Sequence, residues 1–140
     1  MSTLSAAISA SASALGAERT RIEAAVSNLA NAESTQSQNG QPYRRREVVL
    51  ESQPFESAFD PSGNAVAGVR VGAVLESQSF QLRHEPGHPD ADADGNVRVP
   101  DVDVPEEMVD MVTAARAYQA NLTAIGLIRD TIQRALELAK

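Results

Sequence analysis

A chain of 140 residues suits one domain, but with three Phe, two Tyr and no Trp it lacks the large side chains that dominate core burial, and Ala supplies much of its apolar fraction. A net charge of −7 excludes generic nucleic-acid binding, which needs a basic surface to release counterions, and points to protein partners. The lack of Cys excludes disulfides, thiolate chemistry and cysteine-based zinc sites, and no stretch is apolar enough to span a bilayer.

Residues 3 to 32 read as a long helix. Ile8, Leu15, Ile22 and Leu29 recur at a spacing of seven, supported by Leu4, Ala12, Ala25 and Val26, a stripe too narrow for the broad face of a globular helix. Ser and Ala fill the first half and Gly16 costs about 1 kcal/mol relative to Ala, so the helix needs a partner helix for its stability. The Ser/Ala-rich start has neither a basic segment nor a continuous apolar run and is no ordinary secretory signal. Ser27-Asn28-Leu29-Ala30-Asn31-Ala32 closes the helix, with Asn31 suited to a left-handed C-cap and Asn39-Gly40 to the following turn.

Tyr43 to Leu50 reads as a strand, basic at its start and apolar at its end. Alternation puts Arg44 and Arg46 on one face and Arg45 on the other, as at a solvated edge or an ion-pair site between subunits. Pro54 and Asp60-Pro61-Ser62-Gly63-Asn64 bound a low-complexity connection that Phe55 and Phe59 are expected to pin. Val69, Val71, Ala73 and Leu75 alternate with less apolar residues as in a half-buried strand; Phe80, Leu82 and His84 continue that period, and Val97-Arg98-Val99 is a short return strand.

The segment between those last strands carries the most tempting chemistry. Asp90, Asp92, Asp94 and Gly95 match the opening of a calcium-binding EF-hand loop. Its twelfth position, however, is Asp101 rather than the longer Glu, and Gly87-His88-Pro89 precludes an entering helix, so a polar turn is the better reading. His84 and His88 lack a third nitrogen or sulfur ligand. No nucleophile elbow, phosphate loop or catalytic triad stands in a recognisable context. Neither a catalytic residue nor a cofactor, metal, nucleic acid or small-molecule substrate is expected.

From Asp103 to Lys140 the chain reads as one helix. Asp103 serves as N-cap, Pro105 falls in the first turn and Glu106 at the third helical position completes a capping box. Met108, Met111, Ala115, Tyr118, Leu122, Ile125, Ile132, Leu136 and Ala139 recur at 3,4 spacing, interrupted at Arg129. That seam, sustained over about 34 residues or roughly 50 Å, is coiled-coil-like and calls for a partner helix.

Ser27 to Ala32, Pro42-Tyr43-Arg44-Arg45, Pro86-Gly87-His88-Pro89-Asp90 and the run from Glu106-Glu107-Met108-Val109-Asp110-Met111 through Arg116-Ala117-Tyr118-Gln119-Ala120-Asn121 together resemble the flagellar axial proteins of rod and hook. The chain is far shorter than hook and distal-rod subunits, and the combination resembles the proximal rod in particular. Asn28, Asn31, Tyr43, Arg44, Arg116 and Asn121 carry the match.

The fold expected is α+β and mainly helical. Residues 1–35 form an N-terminal axial helix, 36–102 a β-rich insert, and 103–140 a C-terminal axial helix that pairs with the first. Ile8, Leu15, Ile22, Leu29, Met108, Met111, Tyr118, Leu122, Ile125 and Ile132 are the candidates for helix pairing and assembly. The resemblance implies a structural subunit, assembling in the periplasm with copies of itself and other rod proteins into a tube around the export channel, after passage through the flagellar type III apparatus without a cleaved signal. Narrow seams further suggest termini largely unfolded in the free subunit, ordering on assembly. The competing readings are a calcium-regulated binding module and a coiled-coil adaptor.

Overall fold

A computed structural model describes residues 2–36, 40–54 and 67–138. The connection expected around Phe55, Phe59 and Asp60 to Asn64 lies outside the described residues, as do Asn39, Ala139 and Lys140. The order of elements is α1 (Ser2–Ala30), β1 (Arg46–Pro54), β2 (Ala67–Glu76), β3 (Phe80–His84), β4 (Asn96–Pro100) and α2 (Val104–Leu138). Two long helices thus enclose an insert of two antiparallel two-stranded sheets, β1 with β2 and β3 with β4. This is the α+β, mainly helical arrangement that the periodicities call for.

The helices pack on each other antiparallel: Asn28 near the end of α1 meets Glu107 at the start of α2, and Arg19 lies within electrostatic reach of Tyr118. Asp103 caps α2, its carboxylate accepting the N–H of Glu106 at 3.1 Å and its carbonyl the N–H of Glu107 at 3.0 Å. Glu106 does not close the expected box, because its carboxylate turns to Arg45 at 3.5 Å. Asn31 does not adopt the left-handed cap either, since no described non-glycine residue has positive φ. Its side-chain amide instead donates back to the Ser27 carbonyl at 2.8 Å, which also accepts the Asn31 backbone N–H at 3.1 Å.

The covered face of α2 runs through Glu107, Met111, Ala114, Tyr118, Asn121, Ile125, Ile128 and Ile132, and among the described elements only α1 packs against it. This seam agrees with the expected stripe at Met111, Tyr118, Ile125 and Ile132. At the alternate positions it is shifted by one residue, to 107, 114, 121 and 128, leaving Met108, Ala115, Leu122 and Leu136 exposed. The shift removes the interruption at Arg129, because Ile128 occupies that place on the inner face. A 3,4 alternation can begin on either neighbour, and the larger side chains at 108 and 122 favour the wrong one when read by hydropathy alone.

The β1–β2 hairpin lies along the flank of α1. Its register pairs Arg46 with Glu76 at one end and Pro54 with Ala67 at the other, broken between Val49 and Leu50. There Val49 opposes Ala73 and Leu50 opposes Val71, so Gly72 is the extra residue of a bulge, with the Glu51 side chain lying where a Cβ would stand. Val69 and Val71 are half-buried, whereas beyond the bulge Ala73, Val74 and Leu75 are all exposed, so the expected alternation does not continue.

In the second sheet Phe80 pairs with Pro100 and His84 with Asn96. Val97 and Val99 of β4 supply the buried face, while Leu82, opposite Arg98, is 70% exposed. The return strand, rather than β3, therefore carries the apolar side. The turn between them closes through Gly95, whose φ of 76° and packing against Pro86 and His84 exclude a side chain.

Candidate functional site: a buried polar node joining both helices and the hairpin

The fully buried polar residues of the described chain are Asn28, 1% exposed, and Glu107, 2% exposed, and they touch. The Asn28 amide nitrogen donates to Glu107 Oε2 at 2.9 Å and to the Arg46 carbonyl at 2.9 Å. Its oxygen accepts the Arg46 N–H at 2.8 Å and the Tyr43 hydroxyl at 2.9 Å. Both donors and both acceptor positions of the amide are thereby used. Asn28 bonds to Arg46 as the neighbouring residue of a strand would, seating the start of β1 on the end of α1.

Glu107 is held on its other oxygen by Arg45 Nε at 2.6 Å. The hydrogen bond to Glu107 is the main cause raising the Arg45 guanidinium above its ordinary value, against partial desolvation. A raised basic group stabilises the fold below its unfolded pKa and loses that contribution only as pH climbs through the folded value. The Arg45 contribution is accordingly constant across the working pH range. Buried ion pairs of this kind are costly to break on one side, because the surviving charge stays desolvated. Around the node, Tyr43 shares a hydrogen bond of 3.0 Å with Ser27, and no buried side-chain polar atom among the described residues lacks a partner.

Of the sequence candidates, the node brings together Asn28 and Tyr43, with Asn31 just past the end of α1. Arg44 points away, stacking over Phe80 at 5.8 Å and bonding to Gln41 and Gln78. Arg116 is exposed on α2, whereas Asn121 lies in the seam and donates to the Ala117 carbonyl at 2.9 Å. Ile8, Leu15, Ile22 and Leu29 are half-buried along α1. Within the arginine run Arg45 makes an ion pair inside the subunit, which alternation alone did not indicate, whereas Arg46 is exposed beside Glu76. Glu107 was not singled out by spacing; its signal was a carboxylate at a covered heptad position next to a capping residue.

Asp90, Asp92 and Asp101 spend their carboxylates on the fold. Asp92 accepts the N–H groups of Asp94 at 3.0 Å and Asn96 at 2.8 Å, and Asp90 accepts the Thr35 hydroxyl at 2.6 Å. Asp101 binds Gln81 at 2.8 Å, His84 faces the Asn96 side chain, and His88 accepts the Asp90 N–H. Asp90 and Thr35 thus clamp the second sheet to the segment after α1. Among the described residues no group of three His, Cys, Asp or Glu is placed to hold a metal ion.

A cleft of about 170 Å³ beside the node is lined by Arg21, Arg45, Arg46, Glu47, Glu107 and Asp110, but Glu107 and Arg45 within it are already paired with each other. The site joins elements of the chain, and together with the paired helices it marks a structural axial subunit. Residues 93–138 match the family model described as flagellar basal body rod FlgEFG protein C-terminal. Flagellar basal-body rod protein FlgC of Bacillus subtilis is 42% identical, with 95% of this chain and 96% of the relative aligned. Its counterpart in Salmonella typhimurium is 43% identical over 91% and 92% of the two chains, and that of Aquifex aeolicus 40% identical over 96% of each. The chain belongs to the FlgC family of flagellar basal-body rod proteins.

Proposed function

We propose that this rod subunit belongs to the proximal rod, where copies of it and other rod proteins pack side by side into a tube that surrounds the export channel and transmits torque. The paired axial helices, 1–35 and 103–140, form the wall, and the insert, 36–102, faces neighbouring subunits. The observation that carries this reading is the outer face of α2: Met108, Val109, Val112, Leu122 and Leu127 are exposed on a helix covered on one side only. Exposed apolar surface of this extent marks a contact, and repeated heterologous contacts between identical subunits build helical assemblies.

The subunit reaches the periplasm through the flagellar type III apparatus, without a cleaved signal peptide, and acts as neither enzyme nor cofactor carrier. Its folding is coupled to assembly at the ends remote from the node, where α1 is rich in Ser and Ala. Hydrogen exchange on the free subunit is expected to show weak protection over residues 5–16; strong protection there contradicts the coupling. For the function itself, a tagged copy expressed in a strain lacking its own subunit should co-purify with basal bodies and restore swimming. Recovery of the tagged chain only in the soluble fraction, with no motility, contradicts it.

A further inference from the structure

The seam between α1 and α2 is repetitive. Ile8, Leu15, Ile22 and Leu29 stand seven residues apart on α1, as do Met111, Tyr118, Ile125 and Ile132 on α2, while Ala17, Ala25 and Ala114 fill the tightest places. A slip of one heptad moves the helices by about 10 Å yet again sets these recurring apolar residues against one another. Apolar packing therefore discriminates weakly between alignments. The node does not repeat: Asn28 and Glu107 are single, buried, and satisfied only when they face each other with Arg45 and Arg46 in place. In a slipped pair the Asn28 amide meets alanine or leaves the seam, and the Glu107 carboxylate loses a donor in a dry environment.

We propose that Asn28, Glu107 and Arg45 act as the register key of the helix pair, selecting one alignment of a seam that otherwise admits several. A fully buried polar pair in a heptad seam is well suited to fixing register. Because Asn28 also holds both backbone groups of Arg46, the same key sets where the hairpin sits along α1, and hence which surface every copy presents to its neighbours.

The chain has no native cysteine, so alignment can be mapped directly on the purified subunit. Arg19→Cys is combined with Tyr118→Cys for the observed register, or with Met111→Cys or Ile125→Cys for one-heptad slips, and treated with a short bifunctional thiol reagent. With the key intact, the 19/118 product should exceed either slipped product by at least about tenfold; in the Asn28→Leu, Glu107→Leu background the three should come within about twofold of one another. A 19/118 product that stays dominant without the key overturns the proposal. Should the keyless chain lose its helical circular dichroism, each pair is closed as a covalent lock instead. Recovery of helicity by all three locks supports a register role; recovery by the 19/118 lock alone, or by none, overturns it. These readouts need no rod assembly, so they fail or succeed independently of the proximal-rod reading.

Discussion

The two helices face one another but are covered differently. α1 is enclosed, with α2 on one side and both strands of the hairpin on another, so that nearly all its apolar residues are at least half-buried and even Ser13 accepts a hydrogen bond, from the Val69 N–H at 3.0 Å. Among the described elements α2 packs on α1 alone; it buries Glu107 and Ala114 fully, leaves large apolar residues outward, and is exposed throughout from Gln133 to Leu138. One helix has spent its surface within the subunit and the other has kept its surface for contacts outside. A mutation in α1 or on the inner face of α2 should therefore be felt in the subunit, and one on the outer face only in the assembly.

The largest break in that pattern is expected at the node. Glu107→Ala strands Arg45 and leaves Asn28 short of a partner, and should lower the unfolding free energy of the purified subunit by about 3–5 kcal/mol in a urea titration. A loss below about 1 kcal/mol would mean that the node contributes little beyond ordinary surface pairing. Ile125→Asp comes next. It puts a carboxylate on the inner face with no cation identified opposite, and should cost about 2–3 kcal/mol in the same titration; an unchanged midpoint would show that Ile125 is not held against α1.

A smaller effect of opposite sign tests the weakness of α1. Gly16 is exposed in the helix, and a Cβ built there meets nothing within 4 Å. Gly16→Ala should raise stability by about 0.5–1 kcal/mol through backbone entropy alone. Destabilisation would imply a neighbour at that position which the isolated subunit does not contain.

Capping and periodicity made the helices and the return strand legible from the residues: Asp103, Pro105 and the seven-residue recurrence of Ile8 to Leu29 are local signals that tertiary context does not reverse. The phase of the α2 seam was not legible, because hydropathy weighs Met108 and Leu122 above Glu107 and Asn121, whereas Glu107 is buried by bonding to Asn28 and Arg45 across the chain. The same long-range pairing hid the node. Asn28, Arg45 and Glu107 lie far apart in sequence, and only the resemblance, not any spacing rule, drew attention to Asn28 and Tyr43. The strand face was misjudged for a third reason: β2 leaves its cover at the Gly72 bulge, beyond which Ala73, Val74 and Leu75 are all exposed, and a lone glycine in a strand does not announce which partner residue it skips.

The measurement that bears most directly on the division of labour between the two faces of α2 is Leu122→Asp, read both in the purified subunit and in cells. Leu122 is 47% exposed and lies beside the inner seam on the uncovered side. Stability should stay within about 0.5 kcal/mol of the parent, while incorporation into basal bodies and swimming are lost. Normal swimming in that variant would contradict the account, and so would a loss of subunit stability as large as that of Ile125→Asp.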